Sequence, residues 1–259
     1  MTRVLRLASV AVAVLACAAA VVSARAEAPP SRPLPNLRQA LPSNLSIKTD
    51  RRSGHHRLGF SSAVHNLGAG PLVIDARRAG PRMVVHQVVA GQRLGRPAGL
   101  LDYERAGGHQ HWHLEDFDRY ELIALRSGGA QRRARKAGFC LGDREPAPGE
   151  RGSPIPGNGV FTHRCGIGRP ELTQLREGIS PGWSDDYQAH LEGQSIDVTG
   201  LRSGLYVLRH RANPARALVE SDYADNAASM LLRLMSRSGD RAPRFAVLRR
   251  CRAAASCRP

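Results

Sequence analysis

The apolar residues of this chain come in short runs, and none of the runs carries a long helical period. Leu58 to Asn66 alternates in part, Leu67-Gly68-Ala69-Gly70 turns, and Pro71-Leu72-Val73-Ile74 continues. Met83 to Val89 is a β-branched run closed by a turn at Gly91. Phe117 to Leu125, Gln194 to Thr199, Gly204 to His210 and Ser229 to Leu234 read the same way. Such runs, bounded by turn residues, specify strands. Neither side of Phe117 to Leu125 is cleanly polar, so that strand is expected to be buried on both faces. With 26 glycines and 17 prolines in 259 residues, the chain favours turns over a helical bundle. The expected class is mainly β, a sandwich-like domain with long loops and few short helices.

The first residues read as an export signal. Arg3 and Arg6 precede an uncharged apolar run from Leu7 to Val22, and Ala24-Arg25-Ala26 fits a cleavage site. The run is short for a membrane anchor, which needs about 20 residues. A lipoprotein signal ending at Cys17 is the minor alternative. The expected organisation is a signal peptide at 1–26, a Pro-rich lead-in at 27–35, a domain at 36–235 and a basic tail at 236–259. No membrane span is expected in the mature chain, which would be secreted or held in the periplasm or cell envelope.

Cysteine usage agrees with export. Cys140, Cys165, Cys251 and Cys257 remain after the signal, and in an oxidising compartment four cysteines suggest two disulfides. Of three connectivities, Cys140–Cys165 with Cys251–Cys257 is favoured, because the last pair lies in a basic tail with little core of its own. The formal charge is +16; losing Arg3, Arg6 and Arg25 with the signal lowers it to +13. Such a charge attracts anionic polymers. The arginines are scattered and no nucleic-acid-binding pattern accompanies them, so an anionic envelope or matrix polymer is a better partner than nucleic acid.

His109, His111 and His113 alternate with Gln110 and Trp112. In an extended segment the three imidazoles share one face, with neighbours about 6–7 Å apart along the strand. The outer two lie about 13 Å apart, so all three reach one ion only if the segment bends; Gly107 and Gly108 permit a bend. Imidazole suits copper, zinc, nickel or iron, and copper binds most tightly. Three neutral ligands leave open positions, as in a reactive site. Read alone, the triplet leaves copper redox chemistry and zinc hydrolysis both open.

Six blocks in order carry a wider resemblance. They are Gly108 to His113, Phe117 to Leu122, Lys136 to Asp143, Gln174 to Tyr187, Gln194 to Thr199 and Glu220 to Asn226. Together they resemble the catalytic domain of the lysyl oxidase family, over about residues 34–235. The resemblance implies a secreted, disulfide-tied β domain that uses Cu(2+), O2 and a lysine tyrosylquinone. It would deaminate primary amines, peptidyl lysine among them, to aldehyde with release of H2O2 and ammonia. It makes His109, His111 and His113 the copper ligands, and Lys136 and Tyr187 the quinone pair. An arginine could not serve at 136, because it stays protonated and lacks a primary amine. The chain has 38 basic residues, and only Lys48 and Lys136 are lysine, which gives that position weight.

The resemblance also implies a calcium site built from Glu220, Asp222, Asp225 and Asn226 with Asn36 and Leu37. Clustered oxygens suit such a hard cation. Here Asn36 stands where the family has Asp, and Asp225 where it has Asn. Trp112 replaces a more usual tyrosine, and Trp183 stands where a cysteine is common. Two other readings compete with the oxidase: an exported copper-binding β domain without turnover, and a zinc hydrolase built on the histidines. Only the oxidase requires Lys136 and Tyr187.

Overall fold

The computed structural model describes residues 32–105, 110–126, 128–134, 138–149, 153–191, 193–237, 239 and 241–259. The expected signal peptide and most of the lead-in therefore lie outside the described residues. No described helix is long and apolar enough to cross a membrane.

The described residues of 32–259 form one unit, built of strands. In chain order these are β1 (Leu37–Gln39), β2 (Ser43–Thr49), β3 (His56–Asn66), β4 (Leu72–Ala79), β5 (Arg82–Val89) and β6 (Gln92–Tyr103). There follow β7 (Trp112–Glu115), β8 (Asp118–Ala124), β9 (Gln131–Arg133), β10 (Gly138–Phe139), β11 (Glu145–Pro146) and β12 (Gln174–Ile179). The last are β13 (Trp183–Tyr187), β14 (Ser195–Asp197), β15 (Gly204–Ala212), β16 (Ala227–Met235) and β17 (Arg244–Cys251). They make three antiparallel sheets. One runs β1-β3-β13-β11, with β2 and β14 also on β3; the second runs β10-β7-β6-β5-β4-β12; the third runs β17-β16-β15-β8-β9.

The mainly β class is as the sequence indicates. The few short helices are a correction: among the described residues there is none. Residues 165–168 form a turn whose backbone bonds to the segment at Gln110 and Trp112.

The stretch expected as a basic tail contains β17, paired to β16 from Ser229↔Cys251 to Met235↔Arg244 with a bulge at Leu231/Leu232. Phe245 and Val247 lie against the core, two residues apart as a strand requires. The surrounding arginines hide that alternation. Both disulfides, Cys140–Cys165 and Cys251–Cys257, form as expected.

The core shows why these runs fold as strands. On β3 Leu58, Phe60 and Val64 are buried; on β4, Leu72, Ile74 and Ala76; on β5, Met83 and Val85. This is the period of two that buries one face of a sheet. The strand β8 buries one face throughout, whereas on the other only Glu121 is buried and Arg119 and Ile123 are partly exposed, so the expected burial of both faces is not met. One face carries Tyr120 and Leu122 into the core, and the other carries Glu121, which is held by Arg209 and Arg133.

The core also encloses a polar cluster. Ser62 Oγ accepts from Gln39 Nε2 at 3.1 Å and donates to Asp118 Oδ2 at 3.1 Å. His210 Nδ1 lies 3.2 Å from the same hydroxyl, and its ring packs between Phe60 and Tyr120. With the Ser62 proton committed to Asp118, His210 must donate through Nδ1. Its Nε2 is buried and has no hydrogen-bond partner. Burial lowers the His210 pKa from 6.5 to about 3 and raises that of Asp118 from 3.8 to about 6.

The signs oppose. His210 stays neutral in the fold, so stability is lost as pH falls from 6.5 towards 3. Asp118 holds its proton in the fold, so its contribution is lost as pH rises from 3.8 towards 6. Between pH 7 and pH 4 the two nearly cancel, and the raised Glu220 and Glu177 carboxyls favour the fold at acid pH as well. Comparison with a variant therefore isolates His210. On going from pH 7 to pH 4, urea unfolding of His210→Gln should shift towards greater acid stability than the parent shows; the same change in both would show that His210 is not an acid-sensitive group.

Candidate metal and tyrosine site

The histidine segment approaches the sheet on a clamped backbone. Trp112 N donates to Cys165 O at 3.0 Å, and Gly168 N donates to Gln110 O at 2.7 Å. Glu104 N donates to His111 O at 3.0 Å, and Tyr103 Oη to Gln110 O at 2.6 Å. The Trp112 ring is buried, donates Nε1–H to Arg169 O at 3.1 Å, and lies beneath the Arg78 guanidinium. Trp112 therefore holds the segment from the side opposite the histidines, a structural task that any large donor ring could share.

His111 and His113 flank it and point the other way. Their Nε2 atoms are 2.7 Å apart and their rings are nearly perpendicular, at 85°. Two nitrogens each about 2.0–2.1 Å from one ion and at right angles would be about 3 Å apart. The pair thus fits a single transition metal. His109 lies outside the described residues. Among the described residues no group of three His, Cys, Asp or Glu side chains gathers to hold a metal.

The strand β10 lies directly beside this pair, with Gly138 opposite Glu115 and Phe139 opposite Leu114. The approach depends on glycine. A Cβ at Gly138 would sit 2.7 Å from His113 Cβ and 2.9 Å from Glu115 Oε1. Lys136 lies outside the described residues, two positions before Gly138 in the chain.

Tyr187 comes from β13, and its phenol is fixed by one backbone position. Cys140 N donates to Tyr187 Oη at 2.8 Å, and Tyr187 Oη donates to Cys140 O at 3.0 Å. Phe139 meets the Tyr187 ring edge-on, with centroids 5.0 Å apart. The Cys140–Cys165 disulfide then joins the residue that holds the tyrosine to the turn that holds the histidines. The structure thus brings His111, His113 and Tyr187 to one corner of the fold.

Buried acids surround this corner. Glu177 is fully buried, accepts from Leu141 N at 3.1 Å through Oε2, and has no hydrogen-bond partner for Oε1. Burial, then repulsion from Asp185, raises its pKa well above the carboxylate range. Burial and Asp185 also raise the Tyr187 phenol well above its ordinary value, so it stays protonated at neutral pH. Arg144 lies 3.8 Å from Asp185 and donates to Cys140 O at 3.3 Å. Glu177, Asp185 and the Cys140 backbone were not singled out from sequence. The first two sit in a polar context without a burial signal, and a backbone contact has no residue-type signature.

Asp143 anchors the neighbouring loop. Its Oδ2 accepts from Val160 N, Phe161 N and Ser180 Oγ, and its Oδ1 from Ser180 N at 2.7 Å.

The second predicted cluster also assembles. Glu220 Oε2 accepts from Leu37 N at 2.8 Å, and its Oε1 from Asn213 and Asn226 at 2.5 and 2.8 Å. Asp225 Oδ2 accepts from Arg38 Nε at 3.0 Å and Asn36 Nδ2 at 3.4 Å. Three oxygens remain buried without a hydrogen-bond partner: Asn36 Oδ1, Asp225 Oδ1 and Asn226 Oδ1. Orphaned oxygens of this kind fit a hard cation. Asp222 does not share the cluster's bonds; it is exposed and caps Ala224 N. Burial, and to a lesser degree Asp225, raises the Glu220 pKa from 4.5 to about 7.

Residues 90–239 match the family model described as lysyl oxidase. Among curated relatives, "Lysyl oxidase homolog 1" of Homo sapiens is 29% identical over 150 residues, 56% of this chain and 22% of that protein. "Protein-lysine 6-oxidase" of Sus scrofa is 32% identical over 154 residues, covering 59% of this chain and 55% of that protein. "Lysyl oxidase homolog 2A" of Danio rerio is 28% identical over 200 residues, 75% of this chain and 22% of that protein. The matched region thus spans from about a fifth to about half of these relatives.

A Gly138→Ala change should displace His113 without touching the tyrosine anchor. Copper(II) affinity measured by competition with a chromophoric chelator should fall about tenfold, the low end for residues that orient metal ligands. Unchanged affinity would show that the β7–β10 approach does not set the histidine geometry.

Proposed function

Because the chain belongs to the lysyl oxidase family, we propose that it is an exported copper-dependent amine oxidase whose quinone forms from Lys136 and Tyr187. The observation that supports this most is the shared anchorage of the histidine pair and the Tyr187 phenol through Cys140–Cys165. The overall change is RCH2NH2 + O2 + H2O to RCHO + H2O2 + NH3, with peptidyl lysine among the primary amines that fit.

When bound, copper with O2 supplies the oxidising equivalents for the Tyr187 ring, and the matured quinone supplies an electrophilic carbonyl to the amine. The chain does the positioning. His111 and His113 on the clamped segment, with His109 as the third ligand, would hold the ion. The Cys140 backbone fixes the Tyr187 oxygen, and the Phe139 edge fixes its ring. Lys136 stands four positions before Cys140, within about 13 Å of chain. Burial keeps the phenol protonated at neutral pH. Export is supported by the two disulfides, which persist in oxidising compartments.

The cluster at Glu220 would hold calcium through Asn36, Asp225 and Asn226, with Leu37 bracing Glu220 from β1. A cation there would offset the cost of ionising Glu220 in a buried place. Saturating calcium at pH 7.5 should raise the melting temperature; at one hundred times its dissociation constant the gain is about 2.7 kcal/mol. Asp225→Ala should abolish the shift. An equal shift in that variant would remove calcium from this cluster.

Peptide mass spectrometry of copper-loaded, aerated protein tests the oxidase reading. A crosslinked species joining the peptides of Lys136 and Tyr187 is expected, with peroxide release from simple alkyl amines. Its absence, or peroxide production by Lys136→Arg, would overturn the reading in favour of a metal-binding domain or a hydrolase.

A further inference from the structure

The sheet β17-β16-β15-β8-β9 turns two unlike faces outward and inward. Tyr206, Leu208 and His210 of β15 enter the core, so Arg209 and Arg211 take the opposite face. Register sets Arg209 opposite Glu121 and Arg211 opposite Arg119. Glu121 is already committed, to Arg209 through Oε2 and to Arg133 through Oε1. Arg119 reaches Asp116 at 3.8 Å. Arg211 is only partly exposed, and its guanidinium makes no hydrogen bond or ion pair among the described residues.

Beside it opens a cavity of about 300 Å³, lined by Arg211, Asn213, Arg216, Tyr223, Asn226 and Ala255 among others. The lining holds two arginines and no carboxylate. Arg216 comes from a tight turn, with positive φ at Asn213 (43°) and Arg216 (52°), and its guanidinium lies over the Tyr223 ring at 5.1 Å. Ala255 belongs to the loop closed by Cys251–Cys257, which Ser229 Oγ pins through Ala254 O at 2.8 Å. The pocket is therefore walled by fixed backbone, with two guanidinium forks at a site where no lining carboxylate balances them.

We propose that the Arg211–Arg216 pocket binds a phosphate- or sulfate-type oxyanion. Guanidinium forks match the paired oxygens of such groups, whereas the Asn213 and Asn226 amide donors are committed to Leu218 O, Ala212 O and Glu220 and only line the wall. Two sources offer this chemistry, a free anion or a group on an anionic polymer. The site is separate from the histidine corner, and its occupancy does not depend on amine oxidation.

Calorimetric titration at fixed ionic strength tests it, with inorganic phosphate in one arm and a sulfated heparin oligosaccharide in the other. The variants are Arg211→Gln/Arg216→Gln and a control, Arg233→Gln/Arg249→Gln, which removes the same charge from exposed positions of this sheet. Saturable binding in either arm that falls about tenfold or more in the first variant, and within about twofold in the control, supports the pocket. Phosphate binding assigns it to a free anion; oligosaccharide binding alone assigns it to a polymer. Equal losses in the two variants, or no saturable binding in either arm, would overturn it. Should the double variant fold poorly, Arg216→Gln alone, at an exposed turn, is compared with the same control by the same criteria.

Discussion

Everything at the candidate site depends on one cross-link, Cys140–Cys165. On one side, Cys165 opens the turn whose backbone carries the histidine segment. On the other, Cys140 holds the Tyr187 phenol by both its N–H and its carbonyl. The ring packing of Phe139 on Tyr187 also links β10 to β13. A ring contact tolerates sliding, whereas a bond through the backbone of two loops does not. The constraint between these two loops is covalent.

A second constraint is electrostatic. The fold buries Glu177, Asp185, Asp118, Glu220 and Asp225 in a chain of formal charge +16. Arginine answers some of them, as Arg38 does at Asp225 and Arg144 near Asp185. Others are left for protons, as the raised pKa values of Asp118 and Glu177 indicate. Beside Glu220, the Asn36, Asp225 and Asn226 side chains each keep one buried oxygen without a hydrogen-bond partner.

The β class, the long strands β3, β5, β8 and β15, and both disulfides were legible in the sequence. So was the pairing of His111 with His113, because alternation in an extended segment follows from residue spacing alone. β17 was not legible: Phe245 and Val247 alternate, but arginines on both flanks made the stretch read as a tail. The Gly138 contact was equally hidden, since nothing in the letters says which histidine that glycine faces. Asp222, from the same acidic block as Glu220, is exposed and accepts from Ala224 N two residues on. Long-range partners, not local patterns, decide the first two.

Copper titration of a Cys140→Ala/Cys165→Ala variant tests the central constraint most directly. The variant must first retain its β-sheet circular dichroism. If the cross-link sets the histidine geometry, copper(II) binding weakens about tenfold or more, as for loss of groups that orient metal ligands. Copper affinity equal to that of the parent protein would contradict this and leave the histidines positioned by the sheet alone.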